Sequence, residues 1–544
     1  MSPSEPTAPA VASSDPSDGG SPSARLAKSA GLVGSATLTS RILGLVRDQT
    51  LAFLFGAGNA MDAFNVAYRI PNLMRDLFAE GAMSAAFVPT FTKRLTREGR
   101  QAAWHVGNQL INALLVVTGV LVMLGIVFAE PLTRLLAGSY AEVPGKLELT
   151  VTLTRIMLPF LTLVALAAAV MGMLNSLGRF FTPALSPAMF NVWVIGSALL
   201  LVPAMPRFGL NPIVGIAIGV VIGGVGQIAL QLPALRREGY RYRPTLNPSD
   251  PGLQEILRLI GPGTLAGAAV QINLLVNMVL ATGEGTGAVS WLSYAFRVMY
   301  LPIGIFGVSI ATATLPEVSR HAAQEEMGGI RKTVSSALRM MLILNVPALV
   351  GLIVLAAPIV GLVFERGSFL PSDTSATAAA LMFYVPGLLG YSAVRIVVPC
   401  FYALQNSVTP ALVSIFSVAL NIVLNLVLVR LMGFRGLALG TSIAALVNAG
   451  VLLVMLRGRI GGLETARVLR TFVKITVASC LMGGAVWATH GWLVDVVSGT
   501  GLVARLLQVF GSIGLGLLVL LVGARLLRID ELEQARRQIL RRLR

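Results

Sequence analysis

The sequence predicts an all-α polytopic membrane protein. It should have fourteen transmembrane helices, in two six-helix lobes related by an axis along the membrane normal, plus two extra C-terminal helices. Three observations predict this. Of the 544 residues, 55% are hydrophobic and only 12% charged, whereas a soluble domain carries about a quarter charged residues. The apolar residues gather into long stretches with short polar connections, and a spanning helix needs only ~20 such residues. Four prolines also recur at one constant spacing, which marks an internal repeat.

Taken in order, residues 1–24 are rich in Ser, Pro, Ala and Asp and lack an apolar run. They read as a disordered tail extending to residue 27. The tail lacks the basic-then-apolar order of a cleaved leader, so the first span is itself the membrane signal. The spans are expected near 28–55, 60–92, 105–130, 149–174, 182–203, 211–233, 253–281, 286–317, 333–363, 374–403, 408–430, 435–456, 468–490 and 501–525. Glycine and proline are frequent inside them, as membrane helices tolerate. Spans 1 and 2 form a hairpin turning at Gly56-Ala57-Gly58. Gly261-Pro262-Gly263 reads as a break in span 7.

The connections alternate in charge. Lys93, Arg94, Arg97 and Arg100 follow span 2; Arg236, Arg237, Arg241 and Arg243 follow span 6; Arg320, Arg331 and Lys332 follow span 8. Arg457, Arg459 and Arg467 follow span 12, and Arg528, Arg536, Arg537, Arg541, Arg542 and Arg544 follow span 14. Segments 56–59, 282–285 and 491–500 carry no basic residue. By the positive-inside bias both termini are expected in the cytoplasm. The net charge of +17 then belongs to loops beside anionic lipid rather than to a nucleic-acid surface.

Pro89 and Pro316, Pro131 and Pro358, Pro159 and Pro386, and Pro183 and Pro410 are all 227 residues apart. The last pair sits in a shared tetrapeptide, Thr182-Pro183-Ala184-Leu185 and Thr409-Pro410-Ala411-Leu412. The shift maps spans 2–5 onto spans 8–11. An even-numbered repeat enters the membrane in the same direction twice, as in transporters that rock two bundles around a central site.

The chemistry concentrates in spans 1 and 2. Arg41, Arg47, Asp48, Asp62, Arg69, Arg75, Asp76 and Glu80 interrupt them, while most other spans are nearly free of charge. A charge at bilayer depth costs at least ~2.5–3.5 kcal/mol, so such residues mark a polar cavity and a substrate path. Arginine's planar fork suits phosphate and carboxylate groups. At ~1.5 Å per residue, Arg41 and Arg75 lie ~25 Å from the Gly56 turn. Arg47, Arg69 and, in span 8, Arg297 form a shallower tier, with Asp62 near the mouth. Arg41 and Arg47 point about 120° apart on an ideal helix, so bends at Gly44 and Pro71 are expected to let the cations converge. Structural ion pairing with the neighbouring acids is the competing reading. Arg395 is a single charge in span 10 placed to reach the cavity. Arg155 reads as snorkelling. Asn421 and Asn425 share one face of span 11, and Thr441 follows in span 12. They suit an oxygen-lined cation site or, more commonly, interhelical hydrogen bonds.

Signals for enzymatic chemistry are missing from the sequence. There is no Gly-rich loop ending in Lys-Ser or Lys-Thr, no nucleophile with a histidine partner, and no loop long enough for an aqueous active site. Cys400, Cys480, His105, His321 and His490 show no metal-ligand spacing. No cofactor or metal is expected.

The block Ser40-Arg41-Ile42-Leu43-Gly44, Arg47-Asp48, Phe55-Gly56-Ala57-Gly58, Asp62-Ala63-Phe64, Pro71-Asn72-Leu73, Arg75 and Phe78-Ala79-Glu80-Gly81-Ala82 resembles the opening of the MurJ (MviN) lipid II flippase family. So do Leu174-Asn175, Arg179-Phe180, Arg366-Gly367, Phe401-Tyr402-Ala403 and Thr409-Pro410 further on. The resemblance covers about residues 28–530. It implies the fold of the multidrug/oligosaccharidyl-lipid/polysaccharide exporter superfamily, with lobes at 28–235 and 245–458. Helices 13 and 14, at 463–527, would form a groove for the lipid tail, and 528–544 a basic cytoplasmic tail.

The resemblance also implies the partner: lipid II, the undecaprenyl-diphosphate-linked disaccharide-pentapeptide. It would be moved from the inner to the outer leaflet of the bacterial cytoplasmic membrane for peptidoglycan synthesis. Membrane lipids and cell-wall synthesis proteins are the further candidate partners; nucleic acid is not one. The family's functional positions fall on Arg41, Arg47, Asp62, Arg75 and Arg297. The acid that often precedes the last of these is Phe296 here. Family members that bind sodium use Asn, Asp and Thr in helices 11 and 12 with an Asp in helix 7. The matching positions are Asn421, Asn425 and Thr441, with Asn273 or Asn277, so no carboxylate remains and sodium coupling is in doubt. The rival readings are an exporter of another polyprenyl-linked glycan or of small drugs on the same fold, and a membrane transferase acting on a lipid-linked sugar.

Overall fold

Among the described residues every regular element is helical. The computed structural model describes residues 22–76, 86–497, 499 and 501–529; the side chains of 22–30, 32, 74, 75 and 260–269 are not described. The tail expected at 1–27 and the basic tail expected at 528–544 lie almost wholly outside these limits.

Span 1 is α1 (Pro22–Phe55), which begins inside the stretch read as tail. Span 2 comprises α2 (Asn59–Arg75) and α3 (Val88–Glu98). Span 3 is α4 (Arg100–Val127) with the short α5 (Ala129–Ala137), and span 4 is α6 (Lys146–Met157) with α7 (Phe160–Ser176). Then come α8 (Phe181–Leu200), α9 (Val214–Arg237) and α10 (Pro251–Thr282). Span 8 is α11 (Ala288–Pro302) and α12 (Val308–Ala323), joined by a wide π-type turn at Ile303–Gly307. Span 9 is α13 (Met327–Val354) with α14 (Ala356–Phe364). Span 10 is α15 (Pro371–Tyr384) with α16 (Gly387–Ala403). α17 (Val408–Met432), α18 (Phe434–Ile460), α19 (Thr465–Val496) and α20 (Leu502–Leu526) complete the chain.

Ten helical stretches among the described residues are long and apolar enough to cross a membrane, or eleven if α15 and α16, bent by 46°, make one span. The protein is therefore a multi-pass membrane protein. α1, α2 and α10 are outside that set, against the fourteen spans expected. α10 also runs helical through Gly261-Pro262-Gly263, where a break was expected.

The breaks that do occur have a chemical cause. Pro131 and Pro358 lack the N–H that would continue the helical ladder from Val127 and Val354. The residues at these two joints, Phe128 (φ −94°, ψ 19°) and Leu355 (φ −101°, ψ 22°), share one conformation. Pro159 and Pro386 interrupt the next pair of spans in the same way. After a shift of 227 residues, α4, α5 and α7 coincide at both ends with α13, α14 and α16, and α8 and α17 begin together. The repeat seen in the prolines is thus a repeat of helices.

α8 packs on α9 and α1; α17 packs on α18 and α10; α19 packs on α20 and α13. One buried cluster joins the halves at the Gly56 end. It runs from Phe64, Ala67 and Leu153 through Tyr294 and Met299 to Phe364 and Leu381. A second cluster, with Ile343, Val397, Leu452, Ile475 and Met482, anchors α19 and α20 to the second half.

Candidate functional site

The charged cluster lies where α1 and α2 meet α11. Asp48, buried on α1, is its centre. Its Oδ1 accepts from Arg47 Nε at 3.1 Å and Nη2 at 2.8 Å. The same oxygen forms an ion pair with Arg297 Nη1, which comes from α11 in the other half. Arg47 Nη1 donates to Asn191 Oδ1 on α8 at 3.0 Å, and Asn191 Nδ2 donates to the Ser40 carbonyl at 3.1 Å. The Arg47 guanidinium also stands 5.9 Å from the Phe190 ring centre. Two arginines thus converge on one carboxylate, held by amide and ring contacts that set their directions. Two half-buried cations beside one buried anion leave the cluster net positive, which suits an anionic ligand.

Arg47 and Arg297, expected in one tier, do meet. Their shared acid, Asp48, adjoins Arg47 and reaches Arg297 from the opposite half, so the ion pairing of the competing reading is present at this point. Arg41 takes a separate path. α1 runs as one continuous helix through Gly44. Arg41 is exposed and lies over Gly304 in the π-type turn, where a Cβ would come 2.6 Å from its Nη1. Only a glycine leaves that guanidinium its place.

Arg69 does not join the cluster. Its Nη2 donates to Gln271 Oε1 on α10 at 2.9 Å, and Gln271 Nε2 donates to Asp76 at 3.4 Å. Pro71 lies inside α2, which continues to Arg75; the Arg75 side chain lies outside the described residues. Arg395 on α16 donates to the Tyr300 hydroxyl, with its guanidinium 5.6 Å from that ring centre. Tyr300 stacks in turn with Phe296. Arg155 is exposed.

Asp62 departs most from expectation. It does not stand at an open mouth: it is fully buried. It accepts from Lys146 Nζ at 3.0 Å, from the backbone N–H groups of Gly287 (2.7 Å) and Ser290 (3.1 Å), and from the Ser290 hydroxyl (2.7 Å). It therefore caps the N-terminus of α11 from the other half, where a carboxylate offsets the helix's unpaired N–H groups. Lys146 rests 4.0 Å from the Tyr140 ring centre.

More bonds fasten the same end. Asn65 donates to Ser290 at 3.1 Å, Thr286 to Asn59 at 2.8 Å, and Gln49 to the Val363 carbonyl at 3.1 Å. The Ser368 N–H donates to the Phe53 carbonyl at 2.8 Å, and its hydroxyl to that of Leu54 at 3.1 Å. Gly56 has a left-handed φ of +58°, and a Cβ there would fall 2.2 Å from the Ser368 carbonyl oxygen. The two halves touch here main chain to main chain.

Asn421 and Asn425, both buried, meet Asn277 of α10. Asn425 Nδ2 donates to Asn277 Oδ1 at 2.5 Å and to Asn421 Oδ1 at 3.2 Å. Thr441 donates to the Leu437 carbonyl at 2.8 Å. Asn277, not Asn273, is the α10 member. Asn277 and Asn421 spend their oxygens on Asn425, whose own Oδ1 is buried without a hydrogen-bond partner, and among the described residues no carboxylate joins them. That donor set does not fit a hard cation, which takes charged oxygens in a dry site.

An apolar groove of about 340 Å³ lies between α13 and the α19–α20 pair, walled by Phe306, Ile343, Leu344, Met482, Ile513 and Leu517. Arg505 of α20 donates to Glu365 at 2.7 Å.

Asp48, Lys146, Ser290 and Asn191 were missed as site residues. Asp48 carried a signal, since it adjoins Arg47 inside an apolar span. The others sit far off in sequence and carried none.

The family model for "Lipid II flippase MurJ" matches residues 51–507. A Vibrio cholerae protein named "Probable lipid II flippase MurJ" is 36% identical over 93% of this chain and 97% of its own length. A solved structure described as "Lipid II flippase MurJ, inward closed conformation" superposes with a TM-score of 0.78 and 27% identity over 92% of this chain and 99% of its own. The fold extends to a multidrug resistance transporter of the MATE family and the MOP superfamily, in an inward-facing conformation. That structure gives a TM-score of 0.67 at 17% identity, over 80% of this chain and 98% of its own. By family match, by sequence and by fold, the chain belongs to the MurJ family of lipid II flippases.

Proposed function

We propose that the chain moves lipid II from the inner to the outer leaflet of the bacterial cytoplasmic membrane. It works by alternating access between two six-helix lobes, at 28–235 and 245–458, within a fourteen-helix fold whose termini are both cytoplasmic. It acts as a transporter, with no chemical step. One observation carries the reading: Arg47 and Arg297, from opposite halves, converge on Asp48.

A lipid diphosphate is the substrate feature that demands fixed positive charge at this depth. Two guanidinium groups bind it through paired donors. Asp48 holds the empty site, because two half-buried cations brought together without an anion would repel each other. The diphosphate then takes over as their acceptor, and the freed Asp48 carboxylate later competes it away. Because the arginines belong to opposite lobes, ligand entry and release are tied to the lobes' separation. Arg41 and Arg75 extend the cationic path toward the cytoplasmic side, and Arg395 with Tyr300 flanks it.

The Asp62 network and the Ser368 contact form the outer seal, which must part for release. The groove along α19 and α20, within 463–527, takes the lipid tail, so only the head enters the cavity. Membrane potential or a proton drives the cycle rather than sodium. Cell-wall synthesis proteins that consume lipid II are the protein partners.

The test is replacement of the lipid II flippase in a depletable bacterial strain. Growth and normal lipid II turnover are expected. Failure to rescue at full membrane expression contradicts the reading.

A further inference from the structure

We propose a second lipid site outside the transport path: a pocket on the first half that holds an anionic glycerophospholipid of the inner leaflet. It takes its inner-leaflet placement from the topology proposed above, and is otherwise independent of the transport reading.

A cavity of about 740 Å³ lies among α4, α7, α9 and the loop after α9. Its walls are apolar: Ile111 and Leu115 from α4, Leu166 and Val170 from α7, Ile228 and Leu232 from α9. Its rim is basic, made by Arg236 and Arg241 with Tyr240 and Tyr242 beside them. An apolar slot under a cationic rim matches an amphiphile with an acyl chain and an anionic head.

The rim is built to hold its shape. Three buried amides on α4 staple the loop down. Asn108 donates to the Arg241 carbonyl at 3.2 Å and accepts from the Tyr240 hydroxyl at 2.7 Å and the Arg243 N–H at 3.1 Å. Asn112 donates to the Arg243 and Thr245 carbonyls at 2.8 and 3.0 Å and accepts from the Tyr242 hydroxyl at 2.6 Å. Gln109 accepts from the Asn247 N–H at 2.7 Å. Polar side chains buried in an apolar helix are costly unless paired, and these are paired with this loop. A loop that merely connected two helices would not need such fastening.

The rim charge is also uncompensated. Glu238 is the one acid between Arg236 and Asn247. It is taken by Arg179 at 2.8 Å and Arg100 at 3.5 Å. Among the described residues the Arg236 and Arg241 guanidinium groups have neither a hydrogen bond nor an ion pair. Two unneutralised cations favour a head of net negative charge over a zwitterion.

The test is native mass spectrometry of the purified full-length chain, titrated with phosphatidylglycerol or phosphatidylcholine. Phosphatidylglycerol is expected to bind about tenfold or more tightly than phosphatidylcholine. The Arg236→Gln/Arg241→Gln variant should lose that preference, and Leu166→Trp, which fills the slot, should lose the bound lipid. Arg237→Gln/Arg243→Gln removes the same charge outside the slot and should keep both. Arg236→Lys/Arg241→Lys should retain the preference in part, which separates lost charge from a lost fold. Equal losses in the two double glutamine variants would overturn the site in favour of a general surface field. Equal binding of the two lipids would overturn the anionic head. Displacement by inorganic phosphate with Leu166→Trp unaffected would make it a free-anion site and overturn the lipid. None of these outcomes bears on the rescue experiment, so the two readings fail separately.

Discussion

Arg297 of α11 finds its ion-pair partner in Asp48 of α1, in the opposite half of the molecule. Asp48 also binds Arg47 beside it, so its loss and the loss of Arg297 are not equivalent. Asp48→Ala leaves two half-buried cations without the anion they share, which is the costlier side from which to break the cluster. Arg297→Ala leaves Asp48 still paired. Thermal unfolding in detergent should therefore show Asp48→Ala melting well below Arg297→Ala. The reverse order would mean that Asp48 is not the anchor of the cluster.

Gly304 leaves room for Arg41. A Cβ there would stand 2.6 Å from Nη1, the mobile end of a long side chain. Gly304→Val should therefore fold and insert while pushing the guanidinium aside. Complementation should fall toward the level of Arg41→Ala, and the double variant should be no worse than either single one. Additive defects would show that Gly304 acts through the helix turn and not through Arg41.

On the proposed topology the Asp62 network should hold the outer end shut. Asp62→Asn keeps a carbonyl for the α11 N-terminus but loses the ion pair with Lys146. With Cys400 and Cys480 replaced by serine, a cysteine at Ala57, which is buried in the seal, should react slowly with an impermeant thiol reagent added outside. Asp62→Asn should raise that rate several-fold. Labelling from the cytoplasmic side alone would contradict both the seal and the topology.

Much of this was legible in the sequence, for physical reasons. Helix positions follow from apolar length, and the repeat followed from Pro131 and Pro358, each of which starves the same rung of the helical ladder. The arginines stood out because charge is rare in the other spans. What could not be read is pairing across space. Nothing local joins Asp48 to Arg297, or Asp62 to Lys146 and Ser290. Asp62 was expected near the mouth of the cationic path, yet it is buried, and its partners are a lysine and a helix terminus. Arg69 looked equivalent to Arg47, yet its guanidinium turns to Gln271 of α10.

The asparagine cluster should not bind sodium. Asn277, Asn421 and Asn425 offer neutral oxygens only, and those of Asn277 and Asn421 are already engaged by Asn425. Transport should proceed unchanged when potassium replaces sodium, and isotopic sodium binding should be no greater in the native chain than in Asn425→Ala. Saturable sodium binding that vanishes in Asn425→Ala would overturn this.

The central claim is that lipid II displaces Asp48 from Arg47 and Arg297, and lipid II affinity of the purified chain tests it most directly. Arg47→Ala and Arg297→Ala should each weaken binding about tenfold or more, since each removes charge-assisted bonds to the diphosphate. Asp48→Asn removes the competing anion, so it should bind lipid II more tightly than the native chain while failing to support growth, because release is slowed. Weaker binding in Asp48→Asn, or unchanged binding in both arginine variants, would contradict the account.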